Sequence, residues 1–201
     1  MIIHEGYNRV IYIHIPRTGG RYITAYFKNH HITESDYNTF VDDHFEQAHA
    51  KIDYYKDYNY KNFTVVRNPF DRFKSSLKRC LPHCNLSLDK FESVKDYDTF
   101  LKYLNIIKNT KTLGQFFEKQ INFTNKDTYI WKLEDGLGDT FLRWLKVNFD
   151  LNTNIRDPKY LAQSNDFNKV KVSDKIEGFI KKYYEEDYKR FKYWSIRYTI
   201  S

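Results

Sequence analysis

Apolar residues follow two different rhythms along this chain of 201 residues. In some stretches, β-branched and aromatic residues form short runs, the pattern of a buried strand. In others, apolar residues recur at every third or fourth position, which predicts one buried face of a helix. The predicted strands are 9–15, 35–41, 63–66 and 128–133, and the predicted helices are 22–30, about 70–80, 94–109, 113–123, 140–147 and 174–191. Because strands alternate with helices, we expect an α/β fold with a parallel sheet and right-handed crossovers, preceded by a lead-in at residues 1–8.

The turn after the first predicted strand carries a candidate binding function. Ile11–Arg21 reads IYIHIPRTGGR, a β-branched run that ends at a proline, which cannot donate a ladder hydrogen bond. Gly19 and Gly20 allow a tight turn and a close approach of the backbone to a ligand. A strand, a glycine-containing loop and a helix start direct backbone N–H groups and the positive end of the helix dipole at one spot. With Arg17 and Arg21 beside it, this spot is expected to bind a phosphate or sulfate; the alternative is an ordinary βα turn.

A second strand-to-helix turn has similar features. Phe63–Leu77 reads FTVVRNPFDRFKSSL, in which an apolar strand is followed by an Asn-Pro break and a helical pattern. Arg67 lies at the end of the strand, and Ser75 lies two turns into the helix. Two such turns with basic residues could hold the two ends of a nucleotide that carries two phosphate groups.

Together the two turns resemble the nucleotide-binding motifs of sulfotransferases that use 3′-phosphoadenosine 5′-phosphosulfate (PAPS). PRTGGR, at 16–21, is similar to their 5′-phosphosulfate loop, usually written PKTGGTS, and RNPFDRFKSS, at 67–76, is similar to their 3′-phosphate motif, R-[ND]-P-x-x-R-x-x-S. IWKLED, at 130–135, and YYEEDYKRFKY, at 183–193, more loosely resemble later segments of the family, the second of them in its smaller, carbohydrate-type members. The resemblance implies a P-loop-NTPase-like central parallel sheet flanked by helices, and the chain length predicts a single domain over 1–201.

The resemblance also implies which residues bind the donor. The residues matching the 5′ loop are Arg17, Thr18, Gly19, Gly20, Arg21 and Tyr22, and those matching the 3′-phosphate ligands are Arg67 and Ser75. Arg17 replaces the family lysine that contacts the bridging oxygen; arginine can hold that charge but does not readily give up a proton. Arg21 and Tyr22 replace the usual hydroxyl residues of the family, which is a departure from its pattern. Arg72 could assist at the 3′-phosphate, although we expect it to be an exposed helix residue. The product would be adenosine 3′,5′-bisphosphate (PAP), and no metal is expected.

A general base is expected between the two motifs, where the family often has a histidine or a carboxylate. His44 is preferred, because its spacing before the motif arginine matches that of related sequences, and His49 is the next candidate. Histidine has a pKa near the working range and suits proton abstraction from a hydroxyl. The carboxylates Asp43 and Glu46 are further alternatives, as is a purely structural role for either histidine. His14, on the first predicted strand, is expected to be a core or supporting residue.

Charge and composition narrow the class of protein. The chain has 33 basic and 26 acidic residues, a net charge of +7, which favours an anionic partner without choosing among nucleotides, glycans and nucleic acids. The basic residues form no block of the kind found in nucleic-acid arms, so a nucleic-acid partner is not expected. No apolar run is long enough to cross a membrane, and the first residues lack a signal-peptide pattern, so we expect a soluble, cytoplasmic protein. Cys80 and Cys84, which enclose LPH, are expected to be reduced rather than a disulfide or half of a metal site.

The resemblance therefore implies a sulfotransferase that moves a sulfuryl group from PAPS to an acceptor hydroxyl, with a saccharide as one candidate acceptor. Arg17 and a histidine base would assist an in-line transfer. One rival is a non-catalytic α/β domain that binds anions or nucleic acid with the same basic loops. The other is a P-loop nucleotide kinase, which would need a Walker A lysine loop that this sequence lacks.

Overall fold

The computed structural model describes most of the chain, namely residues 1–5, 7–30, 32–34, 49–110, 113–151 and 170–193. The strand predicted at 35–41 lies outside these residues. So do three candidates for the general base, Asp43, His44 and Glu46.

The chain divides into two compact units, each assembled from two separate stretches. The first unit comprises Met1–Arg67 and Asn122–Asn165, and the second comprises Asn68–Ile121 and Asp166–Ser201. All strands of the described residues belong to the first unit, whereas the described part of the second unit is helical. The single domain over 1–201 stays a prediction.

A five-stranded mixed sheet forms the first unit and confirms the α/β class. The strands are β1 (Ile2–Glu5), β2 (Asn8–Ile13), β3 (Ile32–Glu34), β4 (Lys61–Val66) and β5 (Tyr129–Lys132), in the spatial order β3-β1-β2-β4-β5. β4 pairs in parallel with both β2 and β5, as predicted for the central strands. β1 pairs antiparallel with β2 and β3, so the sheet is parallel on one side only.

The lead-in predicted at residues 1–8 is wrong, because residues 2–5 form strand β1. Met1, Ile2 and Ile3 are buried, and Ile3 faces the same core as Val10 of the neighbouring strand. Burial of these apolar side chains favours pairing with β2 over an unstructured start.

Two helices cover one face of the sheet. α1 (Gly20–His30) and α6 (Asp139–Phe149) supply apolar side chains to a core that also contains Tyr12 of β2 and Phe63 and Val65 of β4. The helix residues in this core are Ile23, Tyr26, Phe27, Phe141, Leu142, Leu145 and Phe149. Their spacing of three and four positions is the rhythm that predicted both helices.

The second unit contains six described helices: α2 (Pro69–Cys80), α3 (Leu88–Glu92), α4 (Tyr97–Asn109), α5 (Gly114–Phe117), α7 (Asp174–Tyr183) and α8 (Glu185–Arg190). Asn68 caps α2, because its side-chain oxygen accepts from the N–H of Phe70 at 3.0 Å and of Asp71 at 3.4 Å, and proline follows at the first helical position. The single helix predicted at 174–191 is two helices that meet at Tyr184, whose backbone leaves helical geometry (φ −98°, ψ 21°).

No described helix has both the length and the apolar character that a membrane span requires. Cys80, at the end of α2, and Cys84 are free thiols, as predicted. Among the described residues, no group of three or more histidines, cysteines or carboxylates is arranged to hold a metal ion.

Candidate anion-binding site

The turn between β2 and α1 is tightly bent and fixed by local hydrogen bonds. Arg17 and Gly19 both have left-handed backbones, with φ of 69° and 88°. The buried Thr18 donates its hydroxyl to the carbonyl oxygen of Ile15 at 2.8 Å, and the N–H of Tyr22 donates to the carbonyl of Gly19 at 2.9 Å. The six residues predicted for the 5′ side of the donor are therefore consecutive residues of one ordered turn and helix start.

Each glycine of the turn is required for a different reason. Gly19 has a positive φ, and a Cβ there would lie 2.9 Å from Leu137 and 3.0 Å from Leu133, which follow β5. Gly20 has no such backbone requirement. A Cβ at Gly20 would instead overlap the imidazole of His14, at Nε2 and Cδ2.

The turn concentrates positive charge. α1 begins at Gly20, two residues earlier than predicted, and its first turn contains no acidic residue. The first N–H groups of a helix have no acceptor within the helix, and they lie at the positive end of its dipole. Arg21 is exposed in the first turn and Arg17 is half-buried just before it. The arrangement suits an anion.

Arg67 reaches the same edge of the sheet as this turn. β2 and β4 are parallel neighbours, with Ile13 opposite Thr64, so the chain leaves both strands on one side. Arg67 directly follows β4 and is half-buried. In open α/β sheets, ligands bind at the carboxyl ends of the strands. The first unit therefore brings the PRTGGR turn and Arg67 to the same edge of the sheet, at the carboxyl ends of two adjacent strands.

Ser75 and Arg72 lie on α2 in the second unit. Ser75 is 1% exposed, and its role as a 3′-phosphate ligand stays a prediction. The expectation that Arg72 is exposed is wrong, since its side chain is completely buried. Its guanidinium donates to the backbone carbonyls of Glu118, at 2.8 Å, and Gln115, at 3.3 Å. Burial lowers the pKa of Arg72, while the charge of Asp187 acts in the opposite direction. Arg72 is thus a structural residue of the second unit.

Of the two histidine candidates for the base, His49 lies within the described residues and packs against His14. The ring centroids are 4.4 Å apart, and both side chains are buried, at 5% and 7% exposure. The Nδ1 atom of His49 lies 3.0 Å from the backbone carbonyl oxygen of His14. Because a carbonyl only accepts, this contact requires a proton on Nδ1, so Nε2 is the unprotonated ring nitrogen of a neutral His49. A lone pair on Nε2 is what a general base needs.

Sequence reasoning missed the contacts that shape the turn from outside it. His14 is expected in the core or in a supporting position, but its ring also occupies the space that a side chain at residue 20 would need. Its position in the sequence could have indicated this contact. His14 directly follows β2 and is two and four residues from Tyr12 and Val10, so it continues the alternation of side chains that face the core. Leu133 and Leu137 carried no local signal, because their contact with Gly19 depends on the placement of β5.

The stability of the protein should depend on protonation of His14. Burial, and then the charges of His49, the Met1 amino group and Arg21, lower the pKa of His14 well below its usual value of 6.5. The unfolded chain therefore binds more protons here, so this contribution to stability is present above pH 6.5 and is lost as the pH falls below it. We expect the urea unfolding free energy to decrease from about pH 7 to pH 5 less steeply in His14→Gln than in the wild type. Equal slopes for the two proteins would contradict the assignment.

Comparison with known proteins identifies no relative. No protein-family model, curated protein or solved structure matches this chain. Function is therefore inferred from the motif residues and the geometry of the first unit.

Proposed function

We propose that this protein is a sulfotransferase that uses PAPS as donor and has a P-loop-NTPase-like fold. The observation that carries the proposal is the shared sheet edge in the first unit. There the PRTGGR turn and Arg67 follow two adjacent parallel strands. A turn with a helix N-terminus and two arginines suits the 5′-phosphosulfate, and an arginine on the next strand suits the 3′-phosphate.

The proposed reaction is a direct transfer of the sulfuryl group. The acceptor oxygen forms a bond to sulfur while the bond between sulfur and the bridging oxygen of the phosphosulfate breaks. The acceptor proton moves to a base, and the bridging oxygen leaves as part of the 5′-phosphate of PAP. Because this phosphate is a good leaving group, positioning and stabilisation of developing charge supply most of the rate.

Arg17 would assist departure of the bridging oxygen, and a histidine would take up the proton of the acceptor hydroxyl. The left-handed backbone of Arg17 precedes the helix start, where its fixed positive charge would stabilise negative charge on the bridging oxygen. The base would be His49 or His44. The tautomer of His49 supports it as a proton acceptor through Nε2. The acceptor would be a saccharide or another compound with a hydroxyl group.

Calorimetric titration of PAP into the purified protein tests the donor site. We expect micromolar binding that is stronger than that of ATP or AMP, because only PAP carries a 3′-phosphate together with a 5′-phosphate. Arg67→Ala is expected to weaken PAP binding by about 10- to 100-fold, the usual effect of losing a charge-assisted hydrogen bond.

Arg143→Ala is the matched control, since Arg143 is an exposed arginine of α6. It should leave the PAP affinity unchanged within about twofold. Equal binding of PAP and ATP, or equal losses in the two variants, would contradict the proposed donor site. PAP binding without sulfuryl transfer from PAPS to any hydroxyl acceptor would favour the non-catalytic anion-binding alternative.

A further inference from the structure

The space beside Gly20 is closed by a side chain rather than by the backbone. The φ of Gly20 lies outside the left-handed region, since the positive-φ glycines of the described chain are Gly19 and Gly136. Backbone conformation alone would therefore accept alanine at position 20. The obstacle is the imidazole of His14, which occupies the position that a Cβ would need.

The His14 ring has little room to move away. It stacks on Tyr12, with ring centroids 5.9 Å apart, and packs against the His49 ring, with centroids 4.4 Å apart. Only 7% of its surface is exposed. Interiors are close-packed, so a ring enclosed in this way transmits a change at residue 20 to both neighbours.

We propose that His14 is the positioning residue of this site: its ring fixes the close approach of Gly20 at the start of α1, and its carbonyl oxygen fixes the tautomer of His49. The ring thus sets where the first N–H groups of the helix point. The carbonyl sets which ring nitrogen of a neutral His49 carries the proton. One residue couples the anion-binding turn to the candidate base. Its consequence for nucleotide binding rests on the proposed function, whereas the two contacts do not.

A double-mutant cycle in the ligand-free protein tests the first contact. We expect Gly20→Ala to lower the midpoint of thermal unfolding by about 4–10 °C, which lies within the range expected for overpacking in a chain of this size. In the His14→Ala background, the same Gly20→Ala change is expected to cost less than about 2 °C, because the ring is gone. Additive shifts would overturn the proposal. If Gly20→Ala alone fails to fold, recovery of a folded circular-dichroism spectrum in the double variant is the expected result, and failure of both overturns it.

Gly178→Ala is the matched control for the glycine change. Gly178 is an exposed residue within α7, and a Cβ there meets no atom within 4 Å. Alanine is the better helix former, so the midpoint should stay the same or rise, and His14→Ala should not alter this. A similar loss at both glycines would assign the effect to the loss of glycine itself.

Nitrogen-15 NMR of the His49 ring tests the second contact by reporting the tautomer of His49. If His14 only packed against His49, the tautomer would not be fixed. We expect a protonated Nδ1 and an unprotonated Nε2 in the neutral ring; a proton on Nε2 would overturn the proposal.

Titration with PAP tests the consequence for nucleotide binding. Gly20→Ala should weaken PAP binding at least about fivefold, and this loss should be smaller in the His14→Ala background. If the wild type does not bind PAP, the proposed function fails, while the unfolding cycle and the tautomer still decide the role of His14.

Discussion

Arg72→Met is expected to lower the free energy of unfolding by about 2–6 kcal/mol, the cost of removing the donor of two carbonyl hydrogen bonds. The Arg72 side chain is completely buried, and its guanidinium donates to two carbonyls of the segment after α4. Methionine has a similar length but no donor, so both carbonyls lose the hydrogen bond from residue 72. Each unsatisfied buried polar group costs about 1–3 kcal/mol.

The same change should make stability depend more strongly on pH. Asp187 accepts from the N–H groups of Gln120 and Ile121, both at 2.9 Å. Burial raises the pKa of Asp187, whereas these hydrogen bonds and the charge of Arg72 lower it. Without Arg72 the pKa of Asp187 should rise further. A raised carboxyl pKa favours the folded state at low pH, and this contribution is lost as the pH rises through the folded-state value. The loss of unfolding free energy in Arg72→Met should therefore be smaller under mildly acidic conditions than at neutral pH.

Urea unfolding followed by circular dichroism measures both effects. Arg79→Met is the control, because Arg79 is an exposed arginine in the last turn of the same helix. Its expected change is within about 0.5 kcal/mol. A loss below about 1 kcal/mol in Arg72→Met would show that water or other groups satisfy the carbonyls of Glu118 and Gln115.

Local patterns were sufficient for most of the elements. The Asn68-Pro69 pair marked the start of α2, and the spacing of apolar residues predicted α1, α4 and α6 within a few positions. Strand β1 was missed because IIHE is short and its pairing with β2 is antiparallel. The break at Tyr184 depends on distant contacts: its ring packs on Phe73, and its hydroxyl donates to the carbonyl of Phe117 at 2.8 Å. No local pattern contains such information.

The candidate site was predictable to the extent that it is local. Strand, glycine turn and helix start lie within one stretch, and parallel pairing of β2 and β4 places Arg67 at the same edge. The role of Arg72 was not predictable, because an arginine on a helix is usually exposed. Its carbonyl partners belong to residues more than forty positions away in the sequence. The contact between His14 and Gly20 was equally hidden, since a glycine in a turn is normally explained by its backbone conformation.

His49→Gln is expected to lower kcat for sulfuryl transfer by about 10²- to 10⁴-fold, the usual contribution of a positioned general base. Glutamine is close to histidine in size and keeps an N–H group that can donate to the His14 carbonyl. It cannot, however, take up the proton of the hydroxyl group that receives the sulfuryl group. The affinity for PAP, measured by calorimetry, should change by less than about fivefold, because the basic turn and Arg67 are intact. If kcat falls while the affinity for PAP is retained, His49 acts in proton transfer and not in donor binding.

His44→Gln is the decisive comparison, because His44 is the preferred base from sequence spacing. If His49 is the base, His44→Gln should keep kcat within about tenfold of the wild type. The reverse result would assign the base to His44 and leave His49 as a packing partner of His14. Unchanged kcat in both variants would exclude both histidines and direct the search to Asp43 and Glu46. The pH profile gives an independent check: the acid limb of the kcat profile reports titration of the base in the enzyme–substrate complex, so it should disappear in the variant that lacks the base.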